Sequence, residues 1–118
     1  MREFKFRAWD KVNGRMYDVE FIGKNVIKLK EAEWENRDDF IVMQYTGLKD
    51  SEGREIYEGD VIETQRIKGV VKWDNFFGCW QVINKTDRSM LTNIDVIRSE
   101  VLGNIYENPE LLGGNDNV

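Results

Sequence analysis

The chain has 118 residues, of which 41% are hydrophobic and 33% charged, and its formal net charge is −5. A chain of this length predicts one domain with its own core. It has no histidine and one cysteine, Cys79, which excludes Ser-His-Asp and Cys-His catalytic sites, Cys/His zinc sites and an internal disulfide. The acidic balance favours protein partners over nucleic acid, because nucleic-acid-binding domains carry a basic surface. The sequence has no long apolar run and no signal peptide at its start, which predicts a cytoplasmic protein without a membrane span.

The first predicted element is a hairpin around Asn13-Gly14, the residue pair preferred in two-residue type I′ turns. This turn places Val12 opposite Arg15 and sorts the side chains into one apolar and one polar face, as in a half-buried ribbon. The apolar face then carries Phe4, Phe6, Ala8, Val12, Tyr17, Val19 and Phe21. We therefore predict that Phe6 and Phe21 face each other in the core.

The middle of the chain predicts short strands separated by glycine-containing turns. Residues 25–30 and 40–46 are predicted as strands, and the charged insert at 31–39 as a single helical turn or a loop. Gly53 is expected in the left-handed conformation of a hairpin loop. The turn at residues 58–60 is expected to lead into a strand over residues 61–67.

A second hairpin is predicted with its turn at Asp74-Asn75. This register places Trp73 opposite Phe76 and puts both on the same face as Trp80, which predicts that the three rings belong to the core. Phe77 falls on the opposite, mixed face and is expected to be partly exposed.

The last third of the chain predicts one short helix and one strand. The helix is expected over residues 91–98, capped by Thr92 or Asn93 and with Asp95 in its first turn. A strand is expected at 101–106, and Asn108-Pro109 is expected to begin a terminal turn. The whole pattern predicts a mainly β fold, bordering on α+β: a single domain over residues 1–112, with six to nine short strands in a curved mixed or antiparallel sheet or pseudo-barrel, one short helix and a flexible tail at 113–118.

Three blocks of the sequence resemble the YopX family of phage and prophage proteins. They are FRAWD at Phe6–Asp10, VMQYTGLKDSEGREIYEGDVI at Val42–Ile62 and VLGNIYENPELL at Val101–Leu112. The blocks occur in the family's order and span nearly the whole chain. The resemblance implies a small intracellular accessory protein of a phage or prophage of a Gram-positive host, and it implies no activity, since none is established for the family.

The acids of the central block have two interpretations. Asp50, Glu52, Glu55, Glu58 and Asp60 are close enough in sequence to suggest a hard-cation site. The EF-hand spacing is absent, however, and hairpin turns require glycines and acids at the same spacings. We predict a structural role for this block, a structural role for Cys79, and no metal, cofactor or catalytic site.

The candidate interaction surface consists of Arg66, Lys68, Lys72 and Phe77. It predicts a non-enzymatic module that binds a host or phage protein, because exposed apolar side chains commonly mark interaction sites. The alternative is a nucleic-acid-binding module that uses the same basic strip with its exposed aromatic ring. A third class, a metal- or carboxylate-dependent enzyme, would require a cleft with convergent acids. A homo-oligomer that covers Phe77 is also compatible with the sequence.

Overall fold

The chain is mainly β, as the sequence predicts, with eleven strands and one α-helix in the part that the computed structural model describes, residues 4–112. The elements are β1 (Phe6–Asp10), β2 (Arg15–Ile22), β3 (Val26–Leu29), β4 (Trp34–Asn36), β5 (Phe40–Lys49), β6 (Glu55–Tyr57), β7 (Asp60–Glu63), β8 (Lys68–Asp74), β9 (Cys79–Ile83), β10 (Arg88–Met90), α1 (Asn93–Val96) and β11 (Glu100–Asn104), with 3₁₀ turns at Arg37–Asp39 and Pro109–Leu112. The strands outnumber the six to nine expected, because β4 forms in the insert at 31–39, which was predicted as a helical turn or loop, and β10 forms where no strand was predicted. The predicted tail at 113–118 lies outside the described residues.

The chain divides into two compact units, residues 1–45 and residues 46–118, and the single domain over 1–112 stays a prediction. In the first unit the strands are hydrogen-bonded in the order β4-β3-β2-β1-β5, and the paired strands are antiparallel. The buried side chains of this unit's core are Ala8, Ile27, Leu29 and Phe40. Strand β5 continues into the second unit, where it is hydrogen-bonded to β6.

The second unit contains a five-stranded antiparallel sheet in the order β10-β9-β8-β7-β11. Its core consists of Ile56, Ile62, Ile67, Val71, Trp80, Val82, Leu91 and Val96. Val70 and Val71 are successive residues of β8, and both are completely buried. Since successive side chains of a strand point to opposite faces, the sheet is covered on both sides at this position.

The first hairpin forms at the predicted place but with a different turn. Asp10 lies opposite Arg15, so the register differs by two residues from the predicted one and the connection is a four-residue loop. The type I′ prediction is wrong, because Asn13 does not have a positive φ. The Asp10 carboxylate instead accepts hydrogen bonds from Asn13 N and Val12 N, at 3.0 and 2.9 Å, and Gly14 adopts the left-handed conformation with φ of 66°.

A register difference of two residues keeps each side chain on its predicted face but changes its partners. Phe21 shows the consequence, since its side chain is 53% exposed and packs edge-on against Trp34, with ring centroids 5.5 Å apart. The prediction that Phe21 faces Phe6 in the core is therefore wrong. A bulge in the β2–β3 pairing between Val19 and Phe21 also alters the register next to this ring.

The short helix α1 begins as the sequence predicts. Thr92 is its N-cap, and the side chain of Thr92 accepts a hydrogen bond from Asp95 N while the Asp95 carboxylate accepts one from Thr92 N. This reciprocal capping box satisfies two backbone donors that a helix start leaves without a partner. The predicted strand at 101–106 is β11, and the predicted terminal turn is the 3₁₀ turn at Pro109–Leu112.

Candidate functional site

The structure does not bring the four predicted surface residues into one strip. Arg66 lies in the loop before β8, Lys68 is the first residue of β8, and Lys72 lies near the other end of the strand. Phe77 lies in the loop between β8 and β9. All four are exposed, but the length of β8 separates Arg66 from Phe77 by roughly 20 Å.

Arg66 is held by neighbours that the sequence did not indicate. Its Nη2 donates to Asp95 Oδ1 at 3.0 Å and to Ser89 Oγ at 3.1 Å. Burial alone would raise the pKa of Asp95, but the hydrogen bonds from Thr92 and the guanidinium of Arg66 hold this pKa below its ordinary value. The charge of Arg66 is therefore offset by an ionised carboxylate, and the basic strip is weaker than the sequence suggests.

The β8–β9 hairpin instead presents three aromatic rings to solvent. The exposed fractions are 41% for Trp73, 87% for Phe76 and 67% for Phe77. We call these three residues the aromatic tip. The prediction that Phe77 is exposed is confirmed, and Trp80, at 7% exposure, is buried as predicted. The prediction that Trp73 and Phe76 belong to the core is wrong.

The register explains both corrections. Trp73 lies opposite Trp80, and Asp74 lies opposite Cys79, so the loop is 75–78 and not a two-residue turn. Phe76 and Phe77 therefore lie in the loop outside the paired strands, and Phe77 does not lie on the mixed face of the sheet where it was predicted. Trp73 stays on its predicted face, where its ring packs edge-on against Trp80 with centroids 5.1 Å apart.

The loop that carries Phe76 and Phe77 is built like the loop of the first hairpin. Asp74 Oδ1 accepts a hydrogen bond from Phe76 N at 2.8 Å, Gly78 N donates to Asp74 O at 2.8 Å, and Gly78 has a φ of 65°. The turn thus depends on Asp74 and Gly78, which supply the side-chain acceptor and the left-handed residue. Nothing in it requires rings at 76 and 77, so these two side chains are available for another role.

The acids of the central block are used inside their own hairpin. The side chain of Asp50 is fully buried and accepts hydrogen bonds from Glu52 N, Arg54 N, Arg54 Nε and Val101 N, at 2.8–2.9 Å. Asp60 is also buried and accepts from Tyr57 N at 2.7 Å. Within residues 4–112 no group of three or more Asp, Glu, Cys or His side chains is placed to hold a metal ion. These contacts give the central block a structural role.

The last sequence block is likewise organised by side-chain acceptors. Asn104 Oδ1 accepts from Tyr106 N and Glu107 N, at 3.0 and 2.8 Å, and Asn108 Oδ1 accepts from Asn104 N at 3.2 Å. A Cβ atom at Gly103 would collide with Asn108 and Leu111. The spacing of this block is therefore explained by one compact turn. Cys79 is half-buried at the start of β9, and no helix among residues 4–112 is long and apolar enough to cross a membrane.

The two sheets, with hairpin loops that each begin after an aspartate, place the chain among small mainly β proteins. A model of the YopX protein family matches residues 5–113, and the chain belongs to this family, as the three sequence blocks predicted. A comparison with curated proteins found no match.

Two solved structures share this fold. The crystal structure of protein EF1440 from Enterococcus faecalis is 22% identical, with 95% of this chain and 99% of that chain covered and a TM-score of 0.74. The X-ray structure of protein YopX from Bacillus subtilis is also 22% identical, with 97% and 98% covered and a TM-score of 0.58.

Proposed function

We propose that this YopX-family chain is a non-enzymatic protein-interaction module that binds its partner protein through the aromatic tip. The observation that carries the proposal is the exposure of Trp73, Phe76 and Phe77 on one hairpin. The chain places three of its large aromatic side chains there, although aromatic rings dominate the energetics of cores. The rings of Phe76 and Phe77 are in contact, and contiguous exposed apolar surface of this kind commonly marks a binding site.

The chemistry of the aromatic tip suits a protein partner. Phe76 and Phe77 pack edge-to-face, with ring centroids 4.8 Å apart and planes at 88°, so they form a projecting pair that can fill an apolar pocket. Aromatic side chains are enriched among the few residues that carry most of an interface's binding energy.

The nucleic-acid alternative has weaker support. Two rings at 88° cannot both stack on successive parallel bases, which is how aromatic platforms hold single strands. Arg66 is paired with Asp95, and Lys68 lies opposite Glu63 in the sheet. With a net charge of −5, we expect no binding of a random DNA duplex at about 150 mM salt, because non-specific affinity comes from uncompensated Lys and Arg.

The setting of this function is proposed from the family. The three sequence blocks resemble phage and prophage proteins, and we propose an accessory role in the cytoplasm of a Gram-positive host. The partner would then be a host or phage protein that presents an apolar pocket.

The proposal predicts that the double variant Phe76→Ser/Phe77→Ser loses its partner while keeping its fold. The tagged chain would be used to capture proteins from a nuclease-treated host lysate, and the captured protein, once purified, would be titrated against each variant. We expect at least a tenfold loss of affinity, since removing a central aromatic anchor commonly costs about 2 kcal/mol or more.

The matched control is Val12→Ser. Val12 is 73% exposed and lies in the first hairpin, whose loop has the same Asp-initiated geometry. This variant should bind as the wild type does. Equal affinities of the double variant and the wild type, with equal thermal midpoints, would refute the proposal. Capture from an untreated lysate that is absent from the nuclease-treated lysate would favour the nucleic-acid alternative.

A further inference from the structure

A second surface of the same unit has a different chemistry. The loop before β8 and the segment that contains α1 border a cleft of about 410 Å³. Its lining residues are Gln65, Arg66, Thr92, Ile94, Asp95 and Arg98. None of them belongs to the aromatic tip, so what the cleft binds is independent of the proposed function.

The cleft contains two guanidinium groups and one carboxylate. The carboxylate, on Asp95, is already used: Oδ1 accepts from Arg66 Nη2, while Oδ2 accepts from Thr92 Oγ1 at 2.9 Å and from Thr92 N at 3.2 Å. These bonds fix the carboxylate on the capping residue of α1, and the carboxylate fixes Arg66. The guanidinium group of Arg66 is therefore held in place before any ligand binds.

The second guanidinium group of the cleft, on Arg98, is free to bind a ligand. The side chain of Arg98 is exposed, and it makes no hydrogen bond or ion pair with any residue in the range 4–112. The lining as a whole carries one net positive charge, whereas the chain carries −5. A guanidinium with five free donors is the side chain best suited to a carboxylate or a phosphate, which it binds through paired hydrogen bonds.

An apolar side chain lies beside the charges. Ile94 lines the cleft and is 80% exposed, although removing the side chain of an isoleucine from water is favourable. A ligand that places an oxyanion on Arg98 would bring its aliphatic part onto Ile94.

We propose that this cleft binds a small ligand that carries a phosphate or carboxylate group on a short aliphatic body. Arg98 binds the oxyanion directly, Arg66 contributes the donors that Asp95 and Ser89 leave free, and Ile94 covers the aliphatic part. The amide of Gln65 adds a neutral donor at the same edge of the cleft.

The test is a titration of the ¹⁵N-labelled chain, followed by the chemical shifts of its backbone amides. The probes are butyl phosphate, butyrate and inorganic phosphate, and sodium chloride at the same ionic strength is the reference. We expect saturable shifts at residues 65, 94 and 98 with one of the butyl probes, at a dissociation constant in the range of about 1 mM. The two butyl probes distinguish a phosphate ligand from a carboxylate ligand.

Two variants and a control locate the binding. Arg98→Gln should weaken binding about tenfold, as expected for the loss of a charge-assisted hydrogen bond. Ile94→Ser should weaken binding of the butyl probe about fivefold and leave inorganic phosphate unchanged. Lys68→Gln removes an exposed cation outside the cleft and should change neither. Thermal midpoints would confirm that each variant is folded.

Three results would overturn the proposal. The first is a set of shifts that sodium chloride reproduces, which would indicate screening and not binding. The second is unchanged affinity in Arg98→Gln. The third is the absence of saturable shifts up to about 10 mM of every probe.

Discussion

Replacement of Asp50 by asparagine is expected to lower the free energy of unfolding by about 3 kcal/mol. The asparagine side chain has one oxygen, so its NH2 group would take the place of one carboxylate oxygen. That group would then face either Val101 N and Arg54 Nε or the two backbone donors of the loop. Two of the four hydrogen bonds that the carboxylate accepts would be replaced by contacts between donors. A hydrogen bond to a charged group contributes about 1.5–3 kcal/mol, and an unsatisfied buried donor adds its own cost.

The substitution of Asp50 would also weaken a contact between two distant parts of the chain. Its carboxylate joins the loop of the central hairpin to the start of β11, 51 residues further along the chain. Ser51 N donates to Ser99 O at 3.0 Å and strengthens the same junction. The thermal midpoint of the variant should therefore fall by about 10 °C.

The control for the lost charge is Asp38→Asn. Asp38 is exposed in the 3₁₀ turn at 37–39, and its carboxylate has no hydrogen bond within residues 4–112. Its replacement should change stability by less than about 0.5 kcal/mol. Urea unfolding of the three proteins at neutral pH would measure both effects. A cost below about 1 kcal/mol for Asp50→Asn would show that Asp50 is not the junction that its contacts describe.

The same carboxylate predicts a dependence on pH. Burial alone would raise the pKa of Asp50, but the hydrogen bonds from Val101 N and Arg54 hold this pKa below its ordinary value. A carboxyl group with a lowered pKa stabilises the folded state above its unfolded pKa of about 4, and this contribution is lost as the pH falls through the folded pKa. The difference in stability between the wild type and Asp50→Asn should therefore shrink below about pH 4.

Sequence patterns predicted the class of fold and the faces of the hairpins, but not their registers. The alternation of apolar and polar residues has a period of two, so it distinguishes registers that differ by one residue and not those that differ by two. The prediction placed turns at Asn13-Gly14 and Asp74-Asn75. The structure uses the pairs Asp10 with Gly14 and Asp74 with Gly78, in which an aspartate accepts from the loop and a glycine four residues later has a positive φ.

The spacing of aspartate and glycine could have predicted both loops from the sequence. Both hairpins have an aspartate followed four residues later by a glycine, whereas at the central hairpin Gly53 follows Asp50 by three residues. A loop placed by this spacing would have taken Phe76 and Phe77 out of the sheet and left Trp73 opposite Trp80 on one face. The exposure of Phe77 was predicted from a wrong register, and its true cause is its place in the loop.

The cleft at Arg98 could not be predicted from sequence. Arg66 and Arg98 are distant in the chain and line the same cleft because Asp95, which Thr92 holds at the start of α1, forms an ion pair with Arg66 in the loop before β8. A cap at Thr92 or Asn93 and the place of Asp95 in the first turn were predicted from the sequence, but the reciprocal capping box was not, and nothing indicated that Asp95 would also bind an arginine. Long-range pairs of this kind depend on how the strands are ordered in the sheet, which local patterns do not specify.

Replacement of Gly69 by alanine is expected to lower the free energy of unfolding by about 3 kcal/mol, as in overpacked interiors. Gly69 lies in β8 opposite Ile62, and a Cβ atom there would approach Ile83 O to 2.5 Å and Ile83 C to 2.7 Å. Both are backbone atoms of a paired strand, so they cannot move without separating β8 from β9. In an unstrained strand alanine would stabilise the chain by about 0.5–1 kcal/mol relative to glycine, which makes the sign of the change diagnostic.

The control for this prediction is Gly23→Ala. Its Cβ atom would approach Val26 Cγ2 at 3.0 Å, the end of a side chain that is 43% exposed and free to turn away. This variant should cost less than about 1 kcal/mol, within the range of ordinary surface changes. Urea unfolding of both variants would measure the difference. If Gly69→Ala were as stable as the wild type, β8 and β9 would have to be further apart at Ile83 than the structure places them.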